Sequence, residues 1–364
     1  MNELNEARKK INEIDEKMAK LFEERMKASK EVANYKIKHA LPIFDPTREL
    51  EVINNNSKLI QDDEIREYYV DFLQNTMNVS KRYQGRVMNG LKVAYSGVKG
   101  AFAYIASTKM FPNANYLPYK DFVSAYNAVI NGECDTCVLP LENSYAGEVG
   151  SVMDLIFAGP LHVNQVKEIT INQNLVGIKG SKLENIKKVI SHEQALNQCS
   201  EYIQKHGFMT EDVVNTAVAA KMVSEAKDNS LAAIASTDTV ELYDLEIIES
   251  NINSSNNNTT RFGAFTKAQN QELLNNQMGV YTILVFTVKN EAGALAKTLN
   301  IIGSYGYNMR TLRSRPMKDL IWNYYFYVEL DGSIRTEDGK DMLNALKVFC
   351  DKLKVVGTYF NNWG

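Results

Sequence analysis

LKVAYSG, residues 91–97, divides this 364-residue chain into two kinds of sequence. It is a short apolar run closed by glycine, which reads as a strand entering a tight turn. Everything before it has the rhythm of helices. Everything after it alternates short apolar runs with helical stretches.

Upstream, Leu4, Ile11, Ile14, Met18, Leu21, Ala28 and Val32 recur at three- and four-residue steps, with charges on the other faces. That periodicity predicts one long helix over 3–38. Leu41-Pro42 stops it, because proline lacks the amide hydrogen and disfavours helix before it. Asp45-Pro46-Thr47-Arg48-Glu49 is a restart, with Asp45 as N-cap and Pro46 as first helical residue. A third helix is expected from about 63 to 84. Residues 1–88 thus read as an all-α, three-helix domain without strands.

Downstream, strands are expected at 136–139, 170–178, 188–191, 231–235 and 261–266, with helices between them, such as 194–206 and 216–227. The alternation predicts an α/β domain over 91–268 with mostly parallel strands, long enough for two lobes around a cleft. A polar, Asn/Gln-rich linker follows at 269–279. Residues 280–364 then run strand (281–288), helix (293–304), strand (309–316), strand (321–330), helix (338–352), strand (354–360). That order is βαββαβ, a ferredoxin-like unit.

Composition narrows the function. The net charge is −3, and residues 1–90 balance 16 Lys+Arg against 16 Asp+Glu. No basic stripe offers itself to nucleic acid. No apolar run approaches a membrane span, and MNELNEARKK at the start lacks the apolar core of a signal peptide, so the expected location is cytoplasmic. Cys134 and Cys137 form a lone CxxC without the two further ligands of a structural zinc site, so no metal is expected.

Arg25 and Lys36 lie 11 residues apart on the first helix, within ~20° of each other at ~100° per residue. Near the apolar stripe, such cations need anions: either an interhelical salt bridge to Asp45 or Glu49, or a ligand. Arg8 lies ~25 Å from Arg25 along the axis and ~100° around it, so the two cannot grip one small ligand from one helix. If both serve one kind of site, Arg8 reaches that of a second subunit.

Arg8, Arg25, Lys36, Asp45-x-x-Arg48-Glu49 and Ser80-x-x-x-Gln84 resemble the all-helical chorismate mutase family. The resemblance implies that Arg8, from the neighbouring subunit, and Arg25 hold the two carboxylates of chorismate. Lys36 and Gln84 are then hydrogen-bond donors to the ether oxygen. Asp45 and Glu49 hold the ring hydroxyl, while Arg48 and Ser80 complete the polar shell. A Claisen rearrangement suits this set: it needs no cofactor, only donors aimed at the oxygen where charge grows and cations that fold a flexible dianion into its reactive shape.

In the middle segment, SGVKGAFA (96–103), VLPLENS (138–144), ISHEQALNQC (190–199), NTAVAA (215–220) and the Asn/Ser-rich stretch ending in Thr260-Arg261-Phe262 are individually weak signals. Each has a structural alternative: a tight turn, a core histidine, a disordered loop. Together and in this order they resemble prephenate dehydratase, whose two-lobed α/β fold is periplasmic-binding-protein-like. The resemblance implies loss of carbon dioxide and a hydroxyl from prephenate, giving phenylpyruvate. Thr260 is expected to contact the leaving hydroxyl, and Glu142 to supply the proton if burial raises its pKa. Asn143, Ser191, Gln198, Thr216, Arg261 and Phe262 are expected to bind prephenate, with Arg261 either on a carboxylate or paired with a structural anion. Ala101 and Ala103 stand where the family often has Thr or Ser.

Asn290, Gly293, Ala294 and Leu295, with Leu312-Arg313-Ser314-Arg315, resemble the two ligand motifs of the ACT regulatory domain. In the dehydratases this domain binds phenylalanine between subunits. Arg313 stands where that family usually has Glu. Taken together, the resemblances imply a phenylalanine-regulated enzyme of two activities, a homodimer or a dimer of dimers, working without cofactor, metal, nucleic acid or membrane. The alternatives are a catalytically silent sensor and arogenate as the second substrate.

Overall fold

The computed structural model describes residues 3–39, 41–254, 258–269, 279–317 and 323–360. The expected linker lies, apart from its two end residues, outside the described residues, as do positions 321 and 322 of the expected strand at 321–330. The chain forms two compact units, Met1–Leu91 and Lys92–Gly364.

The first unit is three helices: α1 (Glu3–Lys38), α2 (Pro46–Ser57) and α3 (Asp63–Asn89). Asp45 caps α2, its Oδ1 accepting from the Arg48 amide at 3.0 Å, which satisfies one donor of the first turn. α1 buries only Ser29 and Ala33, small residues opposite Leu73, Met77, Ser80 and Gln84 of α3. Leu4, Ile11, Ile14, Met18 and Leu21 stand exposed along the remainder of α1. The apolar stripe seen in the sequence therefore has no core of its own within this unit.

The second unit holds three sheets. β1 (Lys92–Ser96), α4 (Phe102–Met110), β2 (Asn115–Tyr119), α5 (Phe122–Asn131), β3 (Thr136–Asn143), β4 (Gly147–Glu148), α6 (Gly150–Ala158) and β5 (His162–Thr170) open the first lobe. The second lobe comprises β6 (Asn174–Ile178), β7 (Lys188–Ser191), α7 (Glu193–Gln198), α8 (Ser200–His206), β8 (Met209–Asp212), α9 (Thr216–Ala226), β9 (Leu231–Ala235), α10 (Asp238–Leu242) and β10 (Leu245–Glu249). β11 (Thr259–Thr266) returns to the first sheet, giving the orders β2-β1-β3-β11-β5, with β4 on β3, and β10-β6-β9-β7-β8.

Two expectations are corrected here. The sheets are mixed, because β11 runs antiparallel to both β3 and β5, and β6 to both β9 and β10. The segment expected as one strand over 170–178 is instead the end of β5, a crossing at 171–173, and β6 in the other sheet. Beside that crossing the returning chain is tied to it: Ile171 N donates to Asn258 O at 2.7 Å, and Ile252 N to Gln173 O at 2.9 Å. The crossings join the lobes and floor the cleft between them.

The third sheet has the expected βαββαβ order: β12 (Val280–Val288), α11 (Ala294–Ser304), β13 (Met309–Pro316), β14 (Tyr324–Asp331), α12 (Glu337–Phe349) and β15 (Cys350–Phe360), arranged β13-β14-β12-β15. One face packs under α11 and α12 through Leu284, Phe286, Val328 and Leu330. The other shares a core with the first lobe, where Ile283, Val285, Tyr327, Val356 and Tyr359 meet Val163, Phe265 and Leu139. β15 lies so close to β5 that a Cβ on Gly357 would sit 1.9 Å from the Val163 carbonyl oxygen. Only glycine fits there. Among the described residues no helix is long and apolar enough to cross a membrane.

Candidate active sites

In the helical unit, Arg25, Lys36, Asp45, Arg48, Glu49, Ser80 and Gln84 line one pocket of about 360 Å³. Arg8 is not among them. Arg25 donates to the Ser80 hydroxyl, and Lys36 Nζ to the Ile43 carbonyl at 2.6 Å. Neither cation takes the interhelical salt bridge that the sequence left open. Glu49 pairs instead with Lys81 at 2.7 Å, a lining cation that sequence reasoning missed although it follows Ser80 directly. Gln84 is buried, with Nε2 3.3 Å from Ser29 Oγ and Oε1 unpartnered. Exchanging the two amide atoms lets the Ser29 hydroxyl donate to Oε1 and turns the N–H donors toward the pocket.

Between the lobes lies a cavity of about 330 Å³. Of the expected residues, Asn143, Gln198, Thr216, Thr260 and Phe262 line it. So do the starts of α4 (Ala101, Phe102, Ala103) and α9 (Asn215, Thr216). Gly100, at φ 90°, makes the turn into α4, whose N-cap Ala101 offers no side-chain bond. The uncapped first turn of α4 therefore faces the cleft, as does the positive end of α9, where Asn215 Oδ1 takes the Val218 amide at 2.8 Å and leaves the earlier amides uncapped. No Asp, Glu, Lys or Arg is among its lining residues.

A chain of amides floors the cleft, and its direction is fixed. Asn143 Oδ1 accepts from the backbone amides of Tyr145 and Ala146 at 3.0 and 2.9 Å, which only an oxygen can do. Its Nδ2 then donates to Asn258 Oδ1 (2.7 Å) and Thr260 Oγ1 (2.9 Å). Asn258 Nδ2 donates to Gln198 Oε1 (2.9 Å), which also takes Gln173 Nε2 (3.2 Å). With Asn143 occupying a lone pair of the Thr260 oxygen, the threonine's own hydrogen is left for a ligand. Gln173 was missed from sequence because it is a single polar residue outside the recognisable motifs, and Asn258 because nothing distinguishes it from the other asparagines of the stretch that leads into Thr260-Arg261-Phe262.

Three expected residues stand elsewhere. Ser191 is fully buried and donates to the Ile234 carbonyl at 2.7 Å, bracing β7 to β9. Glu142 and Arg261 occupy the back of the first sheet, since neighbours on a strand take opposite faces. Arg261 Nη1 meets Glu142 Oε1 at 2.7 Å. The same guanidinium reaches both oxygens of Glu329 at 3.0 Å and the Tyr359 hydroxyl at 2.5 Å. Burial pushes the Glu142 carboxyl up, but Arg261 and Arg313 outweigh it and hold the group below its ordinary value. Glu142 is therefore an ionised member of a cluster, the opposite of a proton source, and Arg261 takes the structural anion rather than a substrate carboxylate.

In the third sheet, Arg313 also binds Glu142, and Arg315 binds Glu148 at 2.5 Å. These two of the expected phenylalanine ligands are thus committed to the first lobe. Leu312 and Ser314 alternate to the other face of edge strand β13, where Leu312 is exposed. Gly293 caps α11, with Asn290 in the turn before it and Ala294 and Leu295 opening the helix.

Comparison with known proteins matches residues 93–270 to the prephenate dehydratase family model and residues 7–85 to chorismate mutase type II. A bifunctional chorismate mutase/prephenate dehydratase of Aquifex aeolicus is 31% identical, over 99% of this chain and 98% of its own. Arogenate dehydratase/prephenate dehydratase 2 of Arabidopsis thaliana, described as chloroplastic, is also 31% identical, over 75% of this chain and 74% of its own. Among solved structures, the quorum-quenching acylase GqqA superposes with a TM-score of 0.69 at 28% identity, covering 75% of this chain and 98% of that one. Prephenate dehydratase of Arthrobacter aurescens in complex with L-Phe gives 0.67 at 24% identity, over 74% and 90%.

Proposed function

The chain belongs to the family of bifunctional chorismate mutase/prephenate dehydratases; it carries both activities, and we propose that each has its own site, the helical pocket for chorismate and the interlobe cleft for prephenate. The observation that carries this reading is the pairing of a cation-lined pocket in one unit with a cleft in the other that no Asp, Glu, Lys or Arg lines.

In the pocket, Arg25 and Arg8 of the partner subunit hold the two carboxylates of chorismate. Lys36 and Gln84 donate to the ether oxygen, whose negative charge grows as the C–O bond breaks ahead of C–C bond formation. Asp45 and Glu49 hold the ring hydroxyl, and Arg48 and Ser80 close the polar shell. The exposed stripe on α1 supports a dimer, because a second copy is the natural cover for it. Mixing Arg8→Ala with Arg25→Ala protein is expected to restore about a quarter of wild-type mutase activity: half the dimers are mixed, each with one intact site. Subunit exchange without any rescue excludes the shared site.

In the cleft, the starts of α4 and α9 receive the carboxylates of prephenate. The ring carboxylate leaves as carbon dioxide, its bonding pair enters the ring, and the C–O bond breaks. The departing oxygen takes up one proton to leave as water, and Thr260 hydrogen-bonds it. The lack of a lining carboxylate supports prephenate over arogenate, whose ammonium group finds no counter-charge there.

The third sheet acts as the phenylalanine sensor, with Asn290, Gly293, Ala294, Leu295, Leu312 and Ser314 at a site shared between copies, in a cytoplasmic enzyme whose three domains span about 1–88, 91–268 and 280–364. A mass-spectrometric time course from chorismate alone tests the whole reading. Prephenate followed by phenylpyruvate is expected, the second step slowed by phenylalanine. Prephenate that accumulates unchanged removes the dehydratase assignment of the cleft.

A further inference from the structure

The amide chain that floors the cleft ends in an atom with nothing to bind. Gln173 sits on the crossing between β5 and β6, lines the cavity, and is 2% exposed. Its Nε2 donates to Gln198 Oε1, and its Oε1 is buried without a partner among the described residues. An acceptor in that state costs stability unless something donates to it. The assignment of oxygen and nitrogen is not arbitrary. Each amide hands its polarity to the next, from the backbone N–H groups of Tyr145 and Ala146 through Asn143, Asn258 and Gln198. The leftover atom is therefore an oxygen. At the other branch of the chain, Asn143 leaves the Thr260 hydrogen unused. Thr260 and Gln173 both line the cleft, so the two ends of a single relay bring an unused donor and an unused, buried acceptor to its wall.

We propose that Gln173 is a positioning residue for the dehydration, its Oε1 accepting the hydrogen of the substrate's ring hydroxyl while Thr260 donates to the oxygen of that hydroxyl. The proposal rests on the dehydratase reading of the cleft. Ionised prephenate has two carboxylates and a ketone, all acceptors, so its ring hydroxyl is the one group able to donate to Gln173. Fixing the hydroxyl hydrogen on Gln173 turns an oxygen lone pair toward Thr260, where protonation assists departure. Gln173 takes no part in bond breaking. It sets the rotation of the leaving group, and because it lies on the interlobe crossing it does so only when the lobes hold the amide chain intact.

The test uses the full-length chain and Gln173→Met, which keeps length and apolar bulk but removes the acceptor. Three quantities are read on each protein: kcat/KM for prephenate, the inhibition constant of phenylpyruvate, which lacks the ring hydroxyl, and chorismate turnover. Prephenate kcat/KM is expected to fall about 100-fold, the cost of a buried polar contact left unmade. Phenylpyruvate inhibition and mutase turnover are expected to stay at wild-type levels. A dehydratase that keeps its rate overturns the proposal. So does a parallel loss of rate and of phenylpyruvate binding, which makes Gln173 a brace for the crossing alone. Wild-type protein that leaves prephenate intact overturns the dehydratase reading and this role with it.

Discussion

Thr260→Val is expected to lower prephenate turnover by about 10²–10³-fold, the usual cost of one aimed donor, while chorismate turnover on the same chain stays unchanged. Valine has the shape of threonine without its hydroxyl. Thr260 is 9% exposed on β11, between β3 and β5, so the substitution costs little packing. The hydroxyl does two things that valine cannot. It accepts from Asn143 Nδ2 at 2.9 Å, and it holds a hydrogen for the cleft. Losing the first leaves Asn143 bound to Asn258 and to the amides of Tyr145 and Ala146, so the amide chain survives. Losing the second removes help from the departing oxygen. Prephenate is still expected to bind, because the helix starts that receive its carboxylates are untouched. The measurement is kcat and KM for each activity: kcat falls for the second with KM little moved. A matching fall in chorismate turnover contradicts separate sites, and an unchanged prephenate rate removes Thr260 from the leaving group.

Much of this was legible in sequence because the signals are local. The period of α1, the Asp45-Pro46 restart and the apolar runs of β1, β3 and β9 each reflect what a few neighbouring residues dictate. Less legible were β8, exposed at every residue, and β2, an edge strand carrying Pro118. The site divides the same way. Asn143 and Thr260 stand in motifs and line the cleft, but their neighbours Glu142 and Arg261 stand in the same motifs and face the other side. A one-residue step on a strand reverses the face. Which face is the working one depends on the third sheet, which packs on the back from far along the chain. Gln173 was illegible for a different reason. Its interest lies in the bond that it does not make, and only folded neighbours reveal that.

That back face should be fragile. Arg261→Met is expected to destabilise the Lys92–Gly364 unit by about 3–5 kcal/mol, the cost of removing one partner from a buried ion pair, and to lower its unfolding temperature by about 10 °C. Glu329 is the reason. Its side chain is 1% exposed, and Arg261 bonds both of its oxygens. Methionine fills the space but leaves that carboxylate with the Tyr359 hydroxyl, at 2.8 Å, and with no other cation on its oxygens among the described residues. Removing the orphaned charge should repair part of the loss, so Arg261→Met with Glu329→Gln is expected to be more stable than Arg261→Met alone. The same cluster should show in acid. Glu142 is held below its ordinary 4.5 in the fold, so its contribution is full above that value and is lost as pH falls through the folded pKa. Glu142→Gln should flatten that part of the acid unfolding curve. Thr260 and Asn143 flank Arg261 and Glu142 on the same strands, so dehydratase activity should fall with the cluster while the mutase persists. An Arg261→Met protein that unfolds where the wild type does would mean that the shared apolar core around Val163, Phe265 and Tyr359, with the Arg313 and Arg315 pairs, holds the third sheet on the first lobe without Arg261, and that Arg261 neither secures the sheet nor steadies the cleft.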